Sequence, residues 1–114
     1  MNNKTKVLAF LSLGLFLTSC SKSEVPVTPP PAEEITYTKN VKVIVDNSCA
    51  TSGCHAATSP AAGLALTTFQ QVKNAAENGN FHARIDNNTM PPSAPLASDK
   101  KSIIDKWKTD GYLE

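Results

Sequence analysis

The sequence predicts an all-α fold. Three observations carry that reading. Apolar residues recur at helical spacing in separate stretches, caps and stops bracket those stretches, and no segment of convincing length alternates with the period of two that a half-buried strand needs. In TKNVKVIVDNSC, Thr38 is the expected N-cap, and Val41, Ile44 and Val45 form the apolar positions of a helix that runs up to Cys49. The β-branched residues of this stretch also suit a strand. In TTFQQVKNAAENG, Thr68 and Gln71 have capping-box spacing. Phe69, Val72 and Ala76 share a face there, and Gly79 stands where a C-terminal stop belongs. NFHARIDNNTMPPSAPLA reads as a short turn of helix followed by an irregular loop. In SDKKSIIDKWKTDG, Ser98 is the expected cap and Asp99 favours the first turn. Ile103, Ile104 and Trp107 make one apolar stripe, and Gly111 ends the helix.

The start of the chain belongs to a different class of segment. Lys4 and Lys6 precede the apolar run from Val7 to Leu17, which is too short to span a bilayer and closes on Thr18, Ser19 and Cys20. Residues 1–19 are therefore expected to be a secretory signal. LTSC, ending at Cys20, resembles a bacterial lipobox, and the resemblance implies that Cys20 is lipidated and becomes the first residue of the mature chain. Residues 20–34 hold SKSEVPVTPPPAEE, whose prolines and polar residues suit an extended spacer. The folded domain is expected over 35–114.

Charge narrows the function. The chain has 11 Lys and Arg against 10 Asp and Glu, and without Lys4 and Lys6 the count is 9 against 10, a side-chain net of −1. Such a balance gives no field for nucleic acid. A domain of about eighty residues builds a marginal core and usually needs a staple, a metal or a cofactor.

CATSGCH, Cys49 to His55, is where that help is expected. With Cys20 assigned to lipid, Cys49 and Cys54 remain as a pair in an oxidising compartment. A disulfide between them would close a short loop and stabilise modestly, which gives the alternative of a disulfide-stapled envelope lipoprotein acting as a binding or interaction module. A zinc site from Cys49, Cys54, His55 and His82 has the right ligand types, but Cys54 and His55 are chain neighbours and aim poorly at one metal. A thiol–disulfide oxidoreductase would want a two-residue spacing in a βαβ context. Covalent haem needs two thiols along one edge of a porphyrin and an imidazole directly after the second. Four residues between the thiols force a bulge, and Gly53 supplies the backbone freedom for it.

In this respect the chain resembles the c-type cytochromes, a minority of whose haem sites use C-x4-C-H. The resemblance covers Val41 to Tyr112. It consists of an apolar helix (NVKVIVDN) into the first cysteine, the attachment site, a Gly-Leu segment (AAGLALTTF), a helix, a loop with TMPP and a closing helix with an aromatic residue. It implies a small helical domain wrapped around one covalent haem c, with thioethers at Cys49 and Cys54 and His55 as proximal iron ligand. It also implies Met90 as distal ligand, 35 residues beyond His55 and held by Pro91 and Pro92. His82 is the competing distal ligand, and otherwise an exposed histidine. Arg84 is a surface charge or a partner for a haem carboxylate. Trp107 and Phe69 are expected in the core, and Lys100, Lys101, Lys106 and Lys108 make either a docking face or a solvated one. The implied function is single-electron transfer, without substrate chemistry, between a protein donor and a protein acceptor. The carrier would be tethered through Cys20 to a membrane of the bacterial cell envelope.

Overall fold

Thr36, not Thr38, opens the first helix. In the computed structural model, which describes residues 32–114, the Thr36 hydroxyl accepts the Lys39 N–H at 3.3 Å and the Asn40 side chain accepts the Thr36 N–H at 3.0 Å. The segment Tyr37–Val41 winds as a wide π-helical turn and continues as α1, Lys42–Ser48. The early start has a tertiary cause: Tyr37 is 3% exposed, with its ring 5.4 Å from that of Phe69 and 6.0 Å from that of Trp107. Val41, Ile44 and Val45 fill the core below it, so the β-branched run is helical.

After α1 the chain makes the thiol loop and a single 3-10 turn, Ala61–Gly63. It then enters α2, Phe69–Asn78, through the expected box. The Thr68 hydroxyl accepts the Gln71 N–H at 3.3 Å, and the Gln71 side-chain oxygen accepts the Thr68 N–H at 3.2 Å. The buried face of α2 is Val72, Ala75 and Ala76, with Phe69 packed at the edge of the core.

The helix α3, Phe81–Asp86, is the expected short turn, and it lacks a side-chain cap. The last helix, α4, spans Ser98–Thr109. Its N-cap is Ala97 rather than Ser98, and no side chain caps it. Leu96, 8% exposed, is buried one residue before the turn and fixes where the chain bends into the helix. Ser98 becomes the first helical residue and its carbonyl accepts the Ser102 hydroxyl. Ile104 and Trp107 are fully buried, whereas Ile103 only borders the core.

The two ends of the domain are tied together. Leu113 O accepts both the Tyr37 N–H at 2.8 Å and the Trp107 indole N–H at 2.7 Å, and Asp110 accepts the Ile35 N–H at 2.7 Å. The π turn thus rests on α4, α2 meets α3, and α3 meets α4, giving one all-α core. No strand occurs, and no helix is long and apolar enough to cross a membrane, among the described residues. The expected signal at 1–19, lipidation at Cys20 and the spacer as far as residue 31 lie outside the described residues.

Candidate functional site

Cys49 caps α1, its N–H bonded to Val45 O at 2.8 Å. The chain then loops out and returns. Gly53 takes φ +79°, which an L side chain adopts at a cost, and so supplies the bulge expected between the cysteines. Cys54 N–H bonds to Thr51 O at 3.0 Å, and His55 N–H bonds to Cys49 O at 2.9 Å. The second bond closes the loop and fixes His55 against the end of α1. The thiols of Cys49 and Cys54 are free. Cys49 is buried, and burial, followed by the neighbouring Cys54 thiol, pushes its pKa up to about 11.

His55 is held at a second point. Its Nδ1 lies 2.7 Å from the carbonyl oxygen of Leu64, and Leu66 N–H returns to His55 O at 2.9 Å. A carbonyl only accepts, so Nδ1 carries the hydrogen and the imidazole presents Nε2 as a lone-pair donor. A backbone partner on the non-ligating nitrogen is the usual way a metal-binding histidine is oriented. Leu64 carried no sequence signal for this role, because its contribution is a main-chain oxygen that any residue has.

Met90 follows α3. Arg84 O accepts the N–H groups of Thr89 and Met90, both at 3.0 Å, and the Thr89 hydroxyl at 3.3 Å. The side chain is half-buried. Pro91 and Pro92 follow, and the Met90–Pro91 peptide is cis.

These pieces meet. A cavity of about 1040 Å³ is lined by Cys49, Cys54 and His55 and also by Met90. That volume stands at the top of the usual range for small-molecule and cofactor sites, ~300–1,000 Å³. Leu66, Ala75, Phe81, Ile85 and Leu96 supply its apolar wall. Among the described residues no carboxylate lines it, and its charged lining groups are Arg84 and Lys100.

His82 does not line the cavity. It is also not an exposed histidine: its side chain is 11% exposed, with Nε2 3.0 Å from Tyr112 Oη. Burial first, and then Lys108, holds its pKa below the ordinary value, against the opposing pull of Asp105 and Asp86. Phe69 and Trp107 do not line the cavity; Trp107 is in the core and Phe69 packs against it. Of the four lysines expected to share a face, Lys106 pairs with Asp110 at 2.9 Å, Lys101 with Asn88 at 2.6 Å, and Lys100 reaches the cavity rim. Among the described residues, no three His, Cys, Asp or Glu side chains converge as a metal cluster, so the four-ligand zinc arrangement has no geometric support. An iron held in a porphyrin asks less of the chain, because the macrocycle supplies four ligands and two side chains on opposite faces complete it.

No family model matches the chain, and neither the curated proteins nor the solved structures contain a match to it.

Proposed function

We propose that this chain is a monohaem c-type cytochrome, a single-electron carrier. The observation that carries the reading is the one cavity lined at once by Cys49, Cys54, His55 and Met90, with His55 Nε2 left unengaged by the Leu64 bond. The donor set fits haem c: two thiols for thioethers, an imidazole and a thioether sulfur for the axial positions. The cofactor supplies reversible one-electron chemistry at iron.

The chain's own residues do the rest. Cys49 and Cys54 hold the porphyrin edge, and the Gly53 bulge takes up the extra length between them. Leu64 O makes His55 a stronger donor by sharing its Nδ1 proton. Met90 as the opposite ligand favours the reduced state relative to a second histidine. Leu66, Phe81, Ile85 and Leu96 keep water from most of the pocket. Arg84 and Lys100, the charged groups of the cavity lining among the described residues, favour an occupant that carries negative charge. With His55 and Met90 both holding the iron, the haem would have no open coordination site, so the reading is a carrier and not an enzyme.

By the same reading, Cys20 is lipidated, and residues 20–34 tether the domain to a membrane of the cell envelope. The carrier then shuttles electrons between a protein donor and a protein acceptor.

The test is covalent attachment. The chain is produced together with a haem-attachment system and then denatured. Haem that stays with the polypeptide, lost in a Cys49→Ser/Cys54→Ser variant, is the expected result, together with a methionine–iron charge-transfer band that disappears in Met90→Ala. A colourless chain, with Cys49 and Cys54 either free or joined to each other, would refute the reading, and the joined form would return the disulfide-stapled module.

A further inference from the structure

His82 is one of two histidines in the chain and the one the cavity does not use. Its Nδ1 faces an Asp105 carboxylate oxygen at 4.0 Å, and its Nε2 lies 3.0 Å from Tyr112 Oη. Tyr112 Oη donates its one hydrogen to Ala76 O at 3.4 Å, so the ring hydrogen is assigned to Nε2, which donates to Tyr112 Oη. Asp86 on its own helix, Asp105 and Lys108 on α4, and Glu77 on α2 beside Tyr112 are the other charged groups around this pair.

Tyr112 is a fixed post. Its ring stands edge-on to Trp107 at 4.8 Å, and its N–H bonds to Trp107 O at 2.9 Å. Its hydroxyl also lies 3.4 Å from Ala76 O. Trp107 is completely buried. The His82–Tyr112 bond therefore joins α3 to the fully buried Trp107 of α4.

The other side of α3 serves the cavity. Phe81, Arg84 and Ile85 line it, and Arg84 O holds the Met90 N–H. A helix of 6 residues without a side-chain cap has little stability of its own. Phe81 and Ile85 decide which side of α3 faces the core, but apolar packing is not directional. A hydrogen bond made mostly out of water is directional and costly to leave unmade.

We infer that His82 is a positioning residue for Met90: its bond to Tyr112 sets the roll of α3, and α3 carries that setting through Arg84 O to the Met90 backbone at the cavity wall. Its functional meaning rests on the proposed role of Met90, whereas the positioning itself is independent of what fills the cavity.

Amide hydrogen exchange on the full chain tests it. In His82→Leu, exchange at the Thr89 and Met90 amides is expected to rise tenfold or more relative to Val72 and Ile104 in α2 and α4. His82→Gln, whose amide N–H can donate to Tyr112 Oη, restores protection. Tyr112→Phe, which keeps the ring and removes the hydroxyl, reproduces the Leu variant. Unchanged exchange at Thr89 and Met90 in both Leu and Phe variants overturns the inference. So does acceleration by the same factor throughout α2 and α4, which marks a merely structural residue. In protein carrying covalent haem, the methionine–iron band is expected to weaken in His82→Leu and recover in His82→Gln. A chain that takes up no haem overturns the cytochrome reading, and the exchange ratio still decides the role of His82.

Discussion

Alkylation of Cys49 probes the thiol end of the cavity. The residue is 9% exposed, and burial, with Cys54 beside it, lifts its pKa from 9.0 to about 11. At pH 8 the folded chain then holds roughly 100-fold less thiolate at Cys49 than the unfolded chain does. A more basic thiolate is also more nucleophilic. A Brønsted slope of about 0.4–0.5 recovers roughly 6- to 10-fold of that deficit. Ionisation alone therefore slows native Cys49 by about tenfold relative to Cys49 in urea, and restricted access slows it further. The assay uses chain produced without haem attachment, kept reduced and pulsed with iodoacetamide, with peptide mass spectrometry reading each cysteine separately. Half-exposed Cys54 serves as the access control. If Cys49 in helical, native chain reacts as fast as in urea, the buried α1 terminus and the site built on it are wrong. The same shift has a stability consequence. A raised pKa means the fold favours the neutral thiol, so that contribution is whole below about pH 9 and is lost as pH rises through about 11. Tyr37 and Tyr112, also raised by burial, act in the same direction as pH rises above their ordinary value of 10.0.

Gly79→Ala places a Cβ 2.8 Å from Ala75 O, a backbone atom of α2 that cannot yield, so urea unfolding should show a loss of about 1–3 kcal/mol; no loss would show that α2 ends differently. Gly53→Ala meets nothing within 4 Å but must hold φ +79°, so the cost is the backbone's own, about 1–2 kcal/mol, read in the same denaturation assay. Tyr37 Oη is buried with no partner among the described residues, so Tyr37→Phe should be neutral or stabilising by up to about 1–3 kcal/mol, and a measured loss would reveal a partner for that hydroxyl. His82 has a lowered pKa, so its contribution is whole above the ordinary histidine value of 6.5 and lost as pH falls below it; urea midpoints at pH 7.5 and 5 should differ less in His82→Gln than in the parent chain.

The parts of this fold legible in the sequence are those whose causes are local. The α2 box needs Thr68 and Gln71, three residues apart, and nothing else. Gly53 announces a left-handed turn between the cysteines because few other residues take one. The start of the first helix was not legible, since Tyr37 is drawn inward by Phe69 and Trp107, partners that are neighbours only after folding. The same holds for α4, whose first residue is set by the burial of Leu96 rather than by the better capping residue beside it. At the site, Cys49, Cys54, His55 and Met90 could be named because their side chains carry the chemistry. Leu64 could not, because it acts through its carbonyl. His82 was misplaced at the surface because its partner, Tyr112, lies 30 positions away, where sequence spacing carries no information about proximity.

A void of about 1040 Å³ in a domain this small leaves a large lining without atoms opposite it, so whatever fills the cavity also contributes to holding the domain together. For a reversibly bound occupant that contribution follows mass action and fades as the ligand is diluted. In the proposed cytochrome, two thioethers would remove the concentration from the relation: the occupant could not be diluted away from its site, and the filled domain would keep its stability at any protein concentration. At the proposed envelope location, permanent attachment would make the ligand part of the core for the life of the chain.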